Sequence, residues 1–163
     1  MIIVKKSGKL IFLKKKFKCA FGHSGIKKNK KEGDGATPSG TYNLIKIYFR
    51  KDKINKIQSV LRKIVIKKNM IWCDDSSSHF YNTQCYLPKK FSYERLYRKD
   101  NIYDIVVVID YNLHPIRKNK GSAIFLHVAK KNYKATKGCI ALKKKDLIFI
   151  LKNITKKTKI KIG

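Results

Sequence analysis

The sequence predicts a mainly β domain, and three features carry that prediction. The chain opens on short β-branched and aromatic runs separated by turn residues. Ile105–Ile109 is an unbroken β-branched run. Only one stretch has clean helical periodicity. At 163 residues, with no linker-like composition shift, residues 1–163 read as one domain large enough for its own core. Ile2–Val4 and Leu10–Leu13 flank the turn pair Ser7-Gly8, which predicts a hairpin. Phe17–Phe21 predicts a third strand. From Gly22 to Gly40, five glycines, Pro38 and a lysine cluster at 27–31 predict a long loop, its second half rich in turn formers. Thr41–Phe49 predicts a strand. Over 51–68, Ile54, Ile57, Leu61 and Ile64 fit a helical stripe while Ile64–Ile66 fits a strand, and both readings stay open. Residues 72–101 are polar and aromatic with little periodicity, which reads as an irregular, ordered loop region. Ile105–Ile109 predicts a strand buried on both faces, and Ala123–Val128 predicts another. Leu147, Ile150, Leu151 and Ile154 recur at i, i+3, i+4, i+7, so a helix is predicted over 143–154, with Asp146 suiting its positive end. Ile160–Ile162 is placed as a closing strand.

Composition bounds the function classes. Forty basic residues against ten acidic ones give +30, which invites a polyanion partner, nucleic acid or an anionic membrane. Yet lysine outnumbers arginine 35 to 5, isoleucine reaches 22 and alanine only 6. Lys, Ile, Asn and Tyr are read by A/T-rich codons, and Arg, the residue of bidentate phosphate and guanine contacts, is scarce. Codon bias therefore accounts for the charge better than a dedicated nucleic-acid site does, leaving non-specific polyanion binding as the expectation. No run approaches the ~20 apolar residues of a membrane span. Cys19, Cys73, Cys85 and Cys139 form no C-x-x-C pair. With His23, His79, His114 and His127 they reach no zinc-finger spacing, so neither a metal nor another cofactor is expected. After Met1 the apolar stretch is three residues, Ile2–Val4, short of the about seven to fifteen of a secretory h-region, so a cytoplasmic location is the expectation.

The informative stretch is Gly121-Ser122-Ala123-Ile124-Phe125-Leu126-His127, followed by Thr136-Lys137-Gly138-Cys139-Ile140-Ala141-Leu142. A histidine ends a predicted strand, and a cysteine after a glycine precedes the predicted helix. A thiolate is the nucleophilic form of cysteine, and an imidazole and a helix N-terminus both stabilise it. A glycine before the nucleophile lets the backbone bend and aim N–H groups at a developing oxyanion. By themselves Cys139 and His127 are equally consistent with a small buried hydrophobe and a satisfied strand-end histidine. His23, His79 and His114 lie in loop or turn contexts, and Cys19, Cys73 and Cys85 have no motif histidine nearby.

G-S-A-I-F-L-H at 121–127 and T-K-G-C-I-A-L at 136–142, preceded by E-G-D-G-A-T-P-S-G-T-Y at 32–42, resemble the YkuD-type L,D-transpeptidase catalytic domain. The closer resemblance is to the compact branch in which that domain is the whole protein. W-C-D-D at 72–75, Tyr81-Asn82 and S-Y-E-R-L-Y-R-K-D-N-I-Y-D at 92–104 extend the likeness over nearly the full chain. The resemblance implies a β-sandwich of mixed sheets with a C-terminal helix after the catalytic Cys. It implies chemistry on peptidoglycan stem peptides or muropeptides, with Cys139 as nucleophile, His127 as general base and the N–H groups of Gly138 and Cys139 as oxyanion donors. Trp72, Asp74, Tyr81, Glu94, Arg98, Asp100, Tyr103, Thr136 and Lys137 are the matching candidates for lining the substrate cleft. Two positions depart from the family: Lys137 stands where S/T-H-G-C is commoner, and Ala141 where many members carry Arg. The expected reaction releases the terminal D-alanine of a tetrapeptide stem, by transpeptidation or by L,D-carboxypeptidase hydrolysis. A cytoplasmic location favours trimming; exported relatives work in the periplasm or cell wall. The rival from another class is a non-catalytic basic module for nucleic acid or anionic wall polymer, which has no use for a reactive thiol. A papain-like protease is the weaker rival, because C-G-S-C-W is absent.

Overall fold

A computed structural model describes residues 1–163. Strands β1 (Ile2–Lys5), β2 (Lys9–Phe12) and β3 (Lys15–Ala20) open the chain. The short pair β4 (Ile26–Lys27) and β5 (Thr37–Pro38) brackets the glycine-rich loop. β6 (Gly40–Phe49) is the longest strand, and β7 (Arg62–Val65) runs parallel to its second half. β8 (Met70–Cys73), β9 (Gln84–Tyr86) and β10 (Tyr93–Arg95) form a separate antiparallel sheet in the order β10-β8-β9. Then come β11 (Ile105–Ile109), β12 (Phe125–Val128), a 3-10 turn at Lys131–Tyr133, β13 (Ile140–Leu142), the helix α1 (Lys144–Asn153) and β14 (Lys159–Ile162).

β6 organises the whole. It pairs with β14 through residues 40–43 and with β11 through residues 44–49, so it belongs to two sheets at once. One runs β3-β2-β1-β14-β6 and the other β6-β11-β12-β13, and β13 pairs back onto β3 at Ala141↔Ala20. The sheets are mixed: β1–β14 and β12–β13 are parallel, while most other pairs are antiparallel. Between them lies the main core. Ile2, Val4, Leu10, Phe12, Ile160 and Ile162 enter from one sheet and Ile105, Val107, Ile109, Leu126, Ile140 and Leu142 from the other, with Leu147, Ile150 and Leu151 of α1 packed against them. Each such side chain contributes about 1.5–3 kcal/mol on burial.

β11 is buried on both faces because Val106 and Val108 point away from that core into a second one. There they join Tyr48, Met70, Trp72, Leu96, Tyr103, Phe125 and Cys139. The three-stranded sheet covers this outer face, which explains why Ile105–Ile109 has no polar alternation.

Of the two readings open over 51–68 the strand is the one that forms: β7 is the regular element, and Ile54, Ile57 and Leu61 reach the main core from irregular chain. Tertiary burial recruited the three apolar side chains without the backbone pattern their spacing suggested. Residues 72–101 carry strands rather than irregular loop alone. β8 hides from a periodicity reading because both its faces are buried, Met70 and Trp72 against the second core, Ile71 and Cys73 against Cys85.

Candidate active site

The register between β12 and β13 sets the site. Leu126 lies opposite Ile140 and His127 opposite Ala141. Leu126 and Val128 face the main core, so Phe125 and His127 face the other way. Cys139 immediately precedes Ile140, which puts it beside Phe125 on the face His127 shares, one two-residue step or ~7 Å along the strand. Its thiol donates to the Ala123 carbonyl at 3.1 Å, and its Sγ accepts the Phe125 N–H at 3.3 Å. The Nδ1 of His127 is 2.9 Å from the Val128 carbonyl. A carbonyl only accepts, so Nδ1 carries the proton and Nε2 is the bare, basic nitrogen.

Both groups sit in low dielectric, with Cys139 9% and His127 5% exposed. Burial, then the nearby Glu94 charge, raises the thiol far above its ordinary value. Burial lowers the imidazole to about 4, against the opposing Val128 hydrogen bond. At neutral pH the free protein therefore holds a thiol and a neutral imidazole rather than an ion pair.

The turn ahead of Cys139 is fixed by side chains on both sides. Gly138 has φ +144°, and a Cβ there would lie 2.9 Å from the Ala36 carbonyl oxygen, so the backbone approach requires glycine. Thr136 Oγ1 donates to the Cys139 carbonyl at 2.6 Å and accepts the Gly138 N–H at 3.1 Å. Thr37 Oγ1 donates to the Gly138 carbonyl at 2.7 Å and accepts the Gly22 N–H at 2.8 Å. Thr136 thus holds the turn. It also engages the Gly138 N–H, whereas no side chain accepts the Cys139 N–H. The helix follows the cysteine as predicted, α1 starting at Lys144 with β13 between the two.

Several predicted cleft residues are structural partners of this face. Trp72 is buried, stacks edge-on against Phe125 at 5.1 Å and donates its indole N–H to Asn82 Oδ1 at 3.0 Å. The same Asn82 oxygen accepts the Ala123 N–H at 3.0 Å. Tyr81, also buried, donates to Glu32 at 2.5 Å and accepts the Gly121 N–H at 3.1 Å. Trp72, Tyr81 and Asn82 therefore hold the segment Gly121–Ala123 whose carbonyl engages Cys139. Asp74 accepts from Ser92 at 2.6 Å near the end of β8.

Tyr103, Glu94, Arg98 and Asp100 gather around His127. Tyr103 packs edge-on to the imidazole at 5.3 Å and donates to Glu94 at 2.5 Å. Burial raises the Glu94 carboxyl, with the Tyr103 hydroxyl and the Arg98 charge opposing it. Arg98 makes a two-pronged pair with Asp100 at 2.9 and 2.8 Å and lies over the Tyr103 ring. Both line a cleft of about 620 Å³ with Lys68, Arg95, Tyr97 and Lys99. Lys137 is exposed, and its charge reaches Glu94. No three His, Cys, Asp or Glu side chains converge where a metal could bind, all four cysteines are free thiols, and no helix is long and apolar enough to cross a membrane.

Sequence reasoning gave no site role to Lys30, Asp34 or Thr37 of the glycine-rich loop. The signal for them was the glycine density itself. A Cβ on Gly22 would lie 2.3 Å from the Gly35 carbonyl oxygen, the mark of backbone packed on backbone beneath a site.

The model of one family, YkuD, the L,D-transpeptidase catalytic domain, matches residues 1–162. No curated protein and no solved structure gives a match.

Proposed function

The chain belongs to the YkuD family of L,D-transpeptidase catalytic domains, a family of cysteine-dependent enzymes of peptidoglycan, and from that premise we propose that Cys139 is its acylating nucleophile and His127 its general base. The observation that carries this reading is the hydrogen bond from His127 Nδ1–H to the Val128 carbonyl, which leaves Nε2 basic on the face that Cys139 shares. The donor is a tetrapeptide stem. The Cys139 thiol leaves the Ala123 carbonyl and gives its proton to Nε2 as sulfur attacks the carbonyl of the third residue. The Cys139 N–H faces the developing oxyanion. The tetrahedral species collapses, the C–N bond breaks, Nε2–H protonates the departing amine, and D-alanine leaves a thioester on Cys139. A second amine displaces the thioester to give a cross-link or an exchanged terminal residue; water displaces it to give a tripeptide.

A neutral thiol–imidazole pair suits proton transfer concerted with attack, because neither charge is held in the buried site beforehand. Exposed Lys137, beside Glu94, offers a point charge to the donor's terminal carboxylate. The test is incubation of the purified protein with a disaccharide-tetrapeptide, with and without a D-amino acid, read by mass spectrometry. Loss of D-alanine is expected, with exchange dominating if the enzyme is a transferase and tripeptide if it is a carboxypeptidase. Unchanged substrate together with an unmodified Cys139 overturns the reading.

A further inference from the structure

Lys30 is 4% exposed, although the chain's other lysines are solvated or half-solvated. Burying an ammonium costs several kcal/mol unless it is paired and hydrogen-bonded, so its position calls for a cause. It is paired: Nζ donates to Asp34 Oδ1 at 2.8 Å and to the Lys31 carbonyl at 3.2 Å. The Asp34 carboxylate in turn accepts the N–H groups of Lys31 at 2.8 Å and Ala36 at 2.9 Å, which ties the ion pair into the loop backbone.

The location is specific. The Lys30 stem fills the space beside Gly121, where a Cβ would lie 2.7 Å from its Cε. Its Nζ is 3.7 Å from where a Cβ on Gly138 would be. The ammonium thus sits between the two segments that hold the nucleophile: Gly121–Ala123, whose last carbonyl accepts from the thiol, and Gly138-Cys139. The ion-paired turn also leads straight into Ala36-Thr37, which packs on Gly138 and holds its carbonyl. Glu94 and Tyr103 bear on Cys139 from the outer layer, His127 shares its face from β12, and exposed Lys137 reaches Glu94. Glu94 works against a thiolate, and Lys30 works for one.

We infer that Lys30 is a positioning residue for the Cys139 thiolate: Asp34 anchors its ammonium beneath the Gly138-Cys139 turn, where it stabilises the negative charge that forms at sulfur. The role rests on Cys139 being the nucleophile. It opposes the desolvation that keeps the resting thiol neutral, and it acts when the proton passes to His127.

The test follows alkylation of Cys139 by iodoacetamide, read at its own peptide by mass spectrometry across a pH series. Wild type, Lys30→Met and Lys30→Arg are compared, with the fold of each checked by circular dichroism. An opposite charge within reach moves a titration by about 1–3 units, and below its midpoint the thiolate fraction falls tenfold per unit, so Lys30→Met is expected to alkylate at least about tenfold more slowly at each pH of the series. Lys30→Arg, which keeps the charge, is expected to lie nearer wild type. If Lys30→Met fails to fold, Lys30→Gln, which keeps a donor for Asp34, gives the same comparison. A folded, uncharged variant that alkylates with the wild-type pH profile overturns the inference, as does a Lys30→Arg profile equal to that of the uncharged variant. The functional reading fails separately: wild type that leaves the tetrapeptide untouched while Lys30 still shifts the profile removes the reaction, not the Lys30 effect.

Discussion

The two sheets that share β6 contrast in what surrounds them. The half built from β14, β1, β2 and β3 meets water on one face, and in β1, β2 and β14 burial alternates residue by residue: inward Ile, Val, Leu and Phe, outward mostly lysine. The half built from β11, β12 and β13 is buried throughout, packed between the main core and the three-stranded sheet. None of the ten acidic residues lies on a strand of either half. In the second half Glu32, Asp34, Glu94 and Asp100 stand around Cys139 and His127 or the loops that hold them. A charge in water is screened within about 8 Å at physiological salt; a charge beside a buried thiol is not. The basic composition and the candidate chemistry are therefore separable.

The comparison breaks most decisively at Cys139. Cys139→Ala is expected to abolish turnover and carbapenem-type β-lactam acylation with the fold retained. Alanine at Cys19, Cys73 or Cys85 is expected to spare both, at some cost in packing. Intact-mass analysis checks the adduct, and acylation that persists in Cys139→Ala would refute the nucleophile.

His127 sharpens the same contrast in two measurements. His127→Ala is expected to lower kcat by about 10²–10⁴-fold, the contribution of a positioned proton-transfer group. The second is stability against pH. The folded imidazole titrates at about 4, below its ordinary 6.5, so between those values the unfolded chain binds more protons than the folded one. Stability contributed by the neutral, buried ring is present above pH 6.5 and is lost as pH falls through that window, by about 3 kcal/mol in all. Urea midpoints measured from pH 7 down to 4 should show this slope, and His127→Gln should flatten it. An unchanged slope in the variant would mean that other groups carry the acid sensitivity.

The contrast also explains what was legible beforehand. Short apolar runs beside the turn pair Ser7-Gly8 marked β1 and β2, and Ile160–Ile162 marked β14. Ile105–Ile109 declared itself as an unbroken β-branched run. β8 did not, because its four residues are buried on both faces and sit in a polar, aromatic stretch, and β9 and β10 are only three residues each. The stripe at Ile54, Ile57 and Leu61 is burial without a helix. At the site, the motif picked out Cys139 and His127, and their parallel register places them on one face. Sequence could not say which polar atoms would be satisfied internally: the Trp72 indole, the Tyr81 hydroxyl and the Thr136 hydroxyl all are, and that depends on loops far apart in the chain.

The smallest expected effect lies on the water-facing half, where the lysines can be tested against one another. Lys9 sits directly opposite Lys5 on one side and Lys18 on the other. Like charges directly opposite each other destabilise a sheet by about 0.2–1 kcal/mol, so this row opposes folding slightly. Lys9→Glu replaces two repulsions by two attractions and should raise the unfolding midpoint by a few tenths of a kcal/mol to ~1 at low salt. At 1 M salt, where screening acts within about 3 Å, the gain should vanish. Turnover should stay at the wild-type value, because the substitution lies on the sheet face remote from β12 and β13. The same pair of proteins tests polyanion binding. Titrated with a labelled oligonucleotide, wild type should bind at low salt through counterion release and lose that binding near 0.15 M salt without sequence preference, and Lys9→Glu should bind more weakly with a shallower salt slope. Sequence-selective binding that survives physiological salt, or turnover that falls with Lys9→Glu, would show that the lysine face is a working surface and that the two halves are not separable.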